Sequence, residues 1–211
     1  DASAEGIATM LDPTCYVSHL SAMQRWGLTN RRPEALHLTR PDRTQARIQF
    51  RKLHADFFAT HKPPSDFAGY MPMLVTHPAV VRRRPVEVLQ TKQSGASLVS
   101  RSDGVRVATV GQTFLETLLR PDLCGGMGHV LDVWAERAAA HLEDVVAAVE
   151  AAPTAIAKVR AGYILDERLG LSHPAVASWR GLAQRGGSRV LDPDRPFAPT
   201  FSETWMLSLN V

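Results

Sequence analysis

Residues Val107–Trp134, VATVGQTFLETLLRPDLCGGMGHVLDVW, decide how the rest of the chain is read. The run opens on a short β-branched stretch, which favours a strand. It then carries Phe114, Leu115, Leu118 and Leu119 at one-turn spacing, the mark of a helix with an apolar face. Pro121 stops that helix, and Gly125-Gly126 turns the chain. Beyond the corner, Val130, Leu131, Val133 and Trp134 begin a second helix. A strand feeding two apolar helices across a tight Gly-Gly corner is a core-forming unit, so its side chains are expected to serve the scaffold.

Upstream, Ile7, Ala8, Met10 and Leu11 predict a short helix that stops before Pro13. Ser18 is placed to cap a helix carrying Leu20, Met23 and Trp26, with Gly27 as its left-handed terminus. Leu36–Thr39 and Arg47–Leu53 read as strands joined by a turn at Arg40-Pro41-Asp42-Arg43. In the second, Arg47, Gln49 and Arg51 alternate with Ile48, Phe50 and Leu53, giving one basic and one apolar face. From Phe57 to Val81 the chain is rich in proline, which predicts a long loop packed by Phe57, Phe58 and Phe67. A strand at Val86–Leu89 follows, then a turn at Gln93–Gly95 into a strand over Ser97–Arg101. Asp103-Gly104 makes a hairpin into Val105–Thr109. These segments predict a meandering, mainly antiparallel sheet.

Downstream, Val130–Ala151 reads as one alanine-rich helix. Pro153 opens the next, which bears Ala157, Val159, Ala161, Tyr163, Ile164, Leu165 and Leu169 and closes at Gly170. Trp179, Leu182 and Ala183 predict a short helix, Gly186-Gly187-Ser188 leads to an extended Arg189–Leu191, and Trp205–Leu209 reads as a closing strand. The expected fold is α+β: a mixed, mainly antiparallel sheet in the N-terminal half packed with a helical C-terminal half. With 211 residues, 45% hydrophobic, the chain suits a single domain over 1–211.

Charge divides the chain. Residues 1–110 hold 15 Lys/Arg against 9 Asp/Glu, whereas residues 111–211 hold 9 against 12. Arg40, Arg43, Arg47, Arg51 and Lys52 form one basic cluster, and Arg82, Arg83 and Arg84 a second. Guanidinium and ammonium groups neutralise phosphates without reading base sequence, so these residues are the candidate nucleic-acid contacts. The same charges equally suit solvated strand edges. No apolar run reaches the ~20 residues that span a bilayer. The chain opens on no basic-then-apolar leader, and Cys15 and Cys124 form no metal-type pair, so a cytoplasmic protein is expected.

The catalytic readings are weak. Gly187-Ser188 with Asp192-Pro193-Asp194 imitates a nucleotidyltransferase turn and metal-binding carboxylates, but a central proline cannot donate to a sheet ladder. The glycines at 125, 126 and 128 precede no Gly-Lys-Ser/Thr. Glu87 and Lys92 lie too far apart for a nuclease pair, and His54, His61 and His77 match no zinc spacing. No catalytic residue, metal or cofactor is expected.

Three segments together resemble one family, the AbiEi-type antitoxins of bacterial type IV toxin–antitoxin systems. The first is Tyr16-Val17-Ser18-His19-Leu20-Ser21-Ala22 with Trp26-Gly27-Leu28-Thr29, similar to the family's Tyr-x-Ser-x-x-Ser-Ala…Gly-Leu-Thr helix. The second runs from Val107 through Thr113-Phe114-Leu115-Glu116 to Pro121 and Gly125-Gly126, like the family's strand, Arg-Thr-Leu-Leu-Asp helix and Pro-x-x-x-Gly-Gly corner. Gln112 and Glu116 stand where the family often has arginine and aspartate. The third is Lys158–Glu167, followed by a Leu-Asp-Pro segment at Leu191 and a terminal strand from Trp205 to Asn210. The resemblance implies a non-enzymatic antitoxin that opposes a co-encoded nucleotidyltransferase-like toxin, represses its own operon and takes part in abortive infection by phage. The family's winged helix-turn-helix has no counterpart in these residues, so operator DNA is expected to be read through a separate winged-helix domain. The competing reading is a degenerate nucleotidyltransferase or nuclease-like enzyme. A third is an interaction module that clamps the toxin through the acidic face around Glu143, Asp144 and Glu150.

Overall fold

The structure is a computed structural model that describes residues 2–12, 14–60, 75–92, 98–184 and 189–211. The expected aromatic-packed loop through His61 and Phe67, the turn at Gln93–Gly95 and Gly186-Gly187-Ser188 lie outside the described residues, as do the side chains of His54, Phe57 and Phe58.

Helix α1 (Ala4–Leu11) starts where the Ser3 hydroxyl accepts from the Gly6 N–H. Strand β1 (Tyr16–Val17) leads into α2 (His19–Arg25), which ends at Gly27 with φ 68°. Strand β2 (Leu36–Pro41) then gives way to α3, an 18-residue helix over Arg43–Thr60. This corrects the expected strand at Arg47–Leu53. Asp42 is not a mid-turn residue but a helix cap: its carboxylate accepts from the Gln45 N–H at 2.8 Å and its carbonyl from Ala46.

Strands β3 (Val80–Val81), β4 (Arg84–Thr91), β5 (Leu98–Ser100) and β6 (Arg106–Ala108) complete a six-stranded sheet of order β3-β4-β2-β1-β6-β5. Three pairings are antiparallel, but β2 runs parallel to β4 and β1 parallel to β6. The sheet is mixed and mainly antiparallel, as expected, but its strand order is not a meander. Helix α3 is the reason, since parallel neighbours such as β2 and β4 need a crossover rather than a hairpin.

After Thr109, whose hydroxyl caps the turn, α4 (Val110–Leu119) runs through the centre of the molecule. Val110, Gly111 and the six residues Thr113–Leu118 are all buried, including the polar Thr113, Glu116 and Thr117. A 3-10 turn at Pro121–Cys124 and the Gly125-Gly126 corner, with φ of 88° and 86°, lead to α5 (Met127–Arg137). The expected long helix over Val130–Ala151 is in fact broken by a 3-10 turn at Ala138–His141 before α6 (Leu142–Glu150). Helix α7 (Ala155–Gly162) continues as a π-helical turn over Tyr163–Arg168, and α8 (Pro174–Trp179) follows. A two-stranded sheet, β7 (Phe201–Ser202) with β8 (Leu207–Ser208), closes the chain.

Two apolar cores result. One lies under the sheet around Val17, Leu36, Leu38, Val105 and Val107. The larger one gathers Phe114, Leu118, Trp134, Val145, Ile164 and Trp179 among the helices. Helix α2 sits between them, giving Ala22 to the first and Met23 to the second. The fold is α+β. Among the described residues no helix is long and apolar enough to cross a membrane.

Candidate functional site

The sequence-predicted basic residues do not form one surface. Along β4, Arg84 lies before the Leu36↔Val86 pair, whereas α3 begins after the Pro41↔Thr91 pair. At ~3.3 Å per residue the two clusters therefore start on the order of 20 Å apart, at opposite ends of the parallel pair. Arg40 faces inward: it donates to Asp12 Oδ2 at 3.3 Å and to the Val75 carbonyl, and its side chain is 12% exposed. Arg84 pairs with Glu5 at 2.7 Å and donates to the Ser21 hydroxyl. Arg82 and Arg83 are exposed at the β3–β4 turn, with φ of 49° and 65°.

Arg43, Arg47, Arg51 and Lys52 remain exposed on α3. The expected alternation on a strand is replaced by an i, i+4, i+8 row, which places Arg43, Arg47 and Arg51 on one helix face. Residues 43–55 contain no acidic residue, with Asp42 and Asp56 on either side. That row is an exposed basic stripe on the described surface.

A different cluster lies at the junction of the two cores, and it is built from the Tyr16–Ser21 stretch. Glu116 projects from the buried face of α4, between Leu115 and Thr117, and is 4% exposed. Its carboxylate accepts from the Tyr16 hydroxyl at 3.0 Å, from the His19 N–H at 3.1 Å and from the Gln112 amide at 3.4 Å. Burial raises Glu116 to about 7 and drives the Tyr16 phenol upward.

Ser18 occupies the N-cap position of α2, but its hydroxyl bonds no helix N–H. It meets His19 Nδ1 at 2.8 Å and accepts from the Thr39 hydroxyl at 2.9 Å. The expectation that Ser18 caps the helix is therefore corrected: the cap comes from Glu116, about a hundred residues away in sequence. His19 stands at φ 51°, an uncommon conformation for a residue with a Cβ, which turns its N–H toward Glu116. His37 lies across from it, with ring centroids 6.4 Å apart at 76°. Burial holds His19 down to about 3 and also lowers His37, so both imidazoles stay neutral at pH 7.

No protein-family model and no curated protein matches this chain.

The side chains at this junction are bound to one another. Ser18 is fully buried, and its hydroxyl is shared between the His19 ring and the Thr39 hydroxyl. A second tie lies deeper. Arg160, 6% exposed, donates to the Leu118 carbonyl at 2.9 Å and to the Val190 carbonyl at 3.0 Å. It thereby satisfies a carbonyl at the C-terminal end of α4 and holds α7 and the Val190 segment against it. Trp205 lies on Gly162, where a methyl group would meet its ring carbons at 2.2 Å, and its indole donates to Asp166 at 3.1 Å.

Asp192, Pro193 and Asp194 form a turn in which Asp192 accepts from the Asp194 N–H. Asp192 is buried and Asp194 exposed, so the two carboxylates do not share a face.

The sequence pointed to Glu116 only faintly. A single carboxylate among Phe114, Leu115, Leu118 and Leu119 is the one signal that it is buried, and its partner segment lies too far away to be read locally.

Proposed function

We propose that the chain is the antitoxin domain of a type IV toxin–antitoxin system. It opposes a co-encoded nucleotidyltransferase-like toxin without chemistry of its own and contributes to repression of its operon. The observation that supports this reading is the bonding among the segments that carry the resemblance. Tyr16 and His19 of the first meet Glu116 of the second. Arg160 of the third meets Leu118 of the second, and Gly162 receives the terminal Trp205. Polar residues of these segments are thus consumed in holding the fold, as suits a protein that acts by binding.

Repression, on this reading, uses α3 as a non-specific phosphate contact that supports a separate recognition helix. Replacing Arg43, Arg47, Arg51 and Lys52 together with alanine is expected to weaken operator binding. If all four meet phosphates, the slope of log affinity against log salt becomes shallower by ~3 to 4. Replacing Arg40 or Arg84 instead lowers stability, because each side chain holds a carboxylate inside the fold. An unchanged salt slope in the four-fold variant sinks this role for α3.

The proposed function itself is tested by co-expressing the chain with the neighbouring gene product and scoring growth. Growth is expected to recover, with the α3 variant rescuing as well as the parent. A folded, abundant chain that leaves growth arrested overturns the antitoxin reading.

A further inference from the structure

We propose that Asp12, Cys15 and His77 form a site for a zinc-class divalent ion, which fastens the segment ahead of β3 to the turn between α1 and β1. One ligand atom from each residue lies within 4.8 Å of the other two, and among the described residues this is the group of His, Cys and carboxylate side chains that converges in this way. The Asp12 and His77 side chains are 2% and 4% exposed, and Cys15 is fully buried.

The spacing suits a metal. His77 Nε2 lies 3.1 Å from Asp12 Oδ2. Two ligands at ~2.0 to 2.1 Å around a tetrahedral ion are separated by about 3.3 Å, so closing the site needs little movement of this pair. Thr14 holds the other carboxylate oxygen, its N–H at 2.9 Å and its hydroxyl at 2.6 Å from Asp12 Oδ1. That grip leaves Oδ2 directed at His77.

The cluster also carries unmet polar capacity. His77 Nδ1, on the far side of the ring from Asp12, is buried with no hydrogen-bond partner among the described residues, so none of them fixes the tautomer and Nε2 can present its lone pair to the ion.

The donor set selects the ion. A thiolate, an imidazole and a carboxylate together suit zinc, whereas magnesium and calcium take oxygen ligands. Three protein ligands leave a fourth position for water. As the zinc–sulfur bond forms, the Cys15 thiol proton leaves to solvent. Arg40, which shares Asp12 Oδ2 at 3.3 Å, keeps its bond to the Val75 carbonyl when the ion takes that oxygen.

The test uses the whole chain, free of any affinity tag, stripped with a chelator and titrated with zinc. One equivalent is expected to bind and to raise the melting temperature, with no such rise from magnesium. Cobalt in place of zinc should give a thiolate-to-cobalt charge-transfer band, lost in Cys15→Ser and kept in Cys124→Ser. His77→Gln lies in an irregular segment and should remain folded by circular dichroism, yet bind zinc at least about tenfold more weakly, since even outer-shell changes cost that much. A folded chain that takes up less than one equivalent of zinc overturns the proposal. So does stoichiometric binding that survives both Cys15→Ser and His77→Gln, which would put the ion elsewhere.

Discussion

Gly111→Ala is expected to destabilise the chain by about 3 kcal/mol, at the upper end of the range for overpacking. The cause is the close approach of α4 and α6. A methyl group at position 111 would stand 2.0 Å from the Asp144 carbonyl oxygen and 3.2 Å from the Ala148 Cβ. The first of these is backbone, so no side chain can swing aside. The helices must part, and Phe114, Leu118, Val145 and Val149, all fully buried, would loosen with them. Alanine's better helix propensity, worth ~1 kcal/mol, offsets only part of this. Gly128→Ala provides the contrast. It lies in the first turn of α5 with nothing within 4 Å of an added methyl, so it should be neutral or stabilising by up to ~1 kcal/mol. Urea unfolding followed by tryptophan fluorescence separates the two. Equal midpoints for Gly111→Ala and the parent would show that α4 and α6 do not meet this closely.

That close approach illustrates which parts of the molecule its sequence discloses. The Val107–Trp134 stretch was legible because every signal within it agrees: a β-branched run, one-turn apolar spacing, a proline stop and paired glycines. The Asp103-Gly104 hairpin was legible for the same reason, and Gly104 takes φ 77° as such a turn requires. Helix α3 is disguised because Arg47–Leu53 carries two periods at once. Alternating basic and apolar residues imitate a strand, while Arg43, Arg47 and Arg51 fit a helix equally well. The deciding signal was Asp42 three residues before Gln45, a capping pattern hidden by the neighbouring proline. The parallel β2–β4 pairing then follows from α3 and could not be foreseen without it. The inward-facing arginines of the basic clusters were illegible for another reason. Composition counts charges, but it cannot tell Arg43 in solvent from Arg40 on Asp12 or Arg84 on Glu5. Ser18 has the position of a cap without its bond, because the carboxylate that takes that role comes from the other half of the chain.

That carboxylate carries the other large effect. Glu116→Leu is expected to cost about 4 kcal/mol, since it strands the buried Tyr16 hydroxyl and His19 N–H and releases the half-buried Gln112 amide. Removing the acceptor from buried donors costs ~1 to 3 kcal/mol for each one left unmet, and the leucine's apolar burial returns only part of that. Glu116→Gln keeps a carbonyl acceptor and should lose less, about 1 to 2 kcal/mol at pH 7. The pair also predicts a pH signature. Burial raises the Glu116 carboxyl to about 7 from an ordinary 4.5. Between those values the folded chain keeps a proton that the unfolded chain has released. Glu116 thus contributes stability that is fully present below pH 4.5, falls as pH rises and is gone above 7, on the order of 3 kcal/mol in all. His19 acts in the opposite sense. Its imidazole is held down to about 3, so its contribution is present above pH 6.5 and is lost as pH falls. The informative quantity is therefore the difference between the parent and Glu116→Gln, in which His19 cancels. Measured by urea unfolding, that difference should shrink steadily between pH 4.5 and 7 as the parent loses its advantage. Two curves that stay parallel across the window would mean that Glu116 is not a buried, proton-holding cap on α2, and the junction between the two cores would need another account.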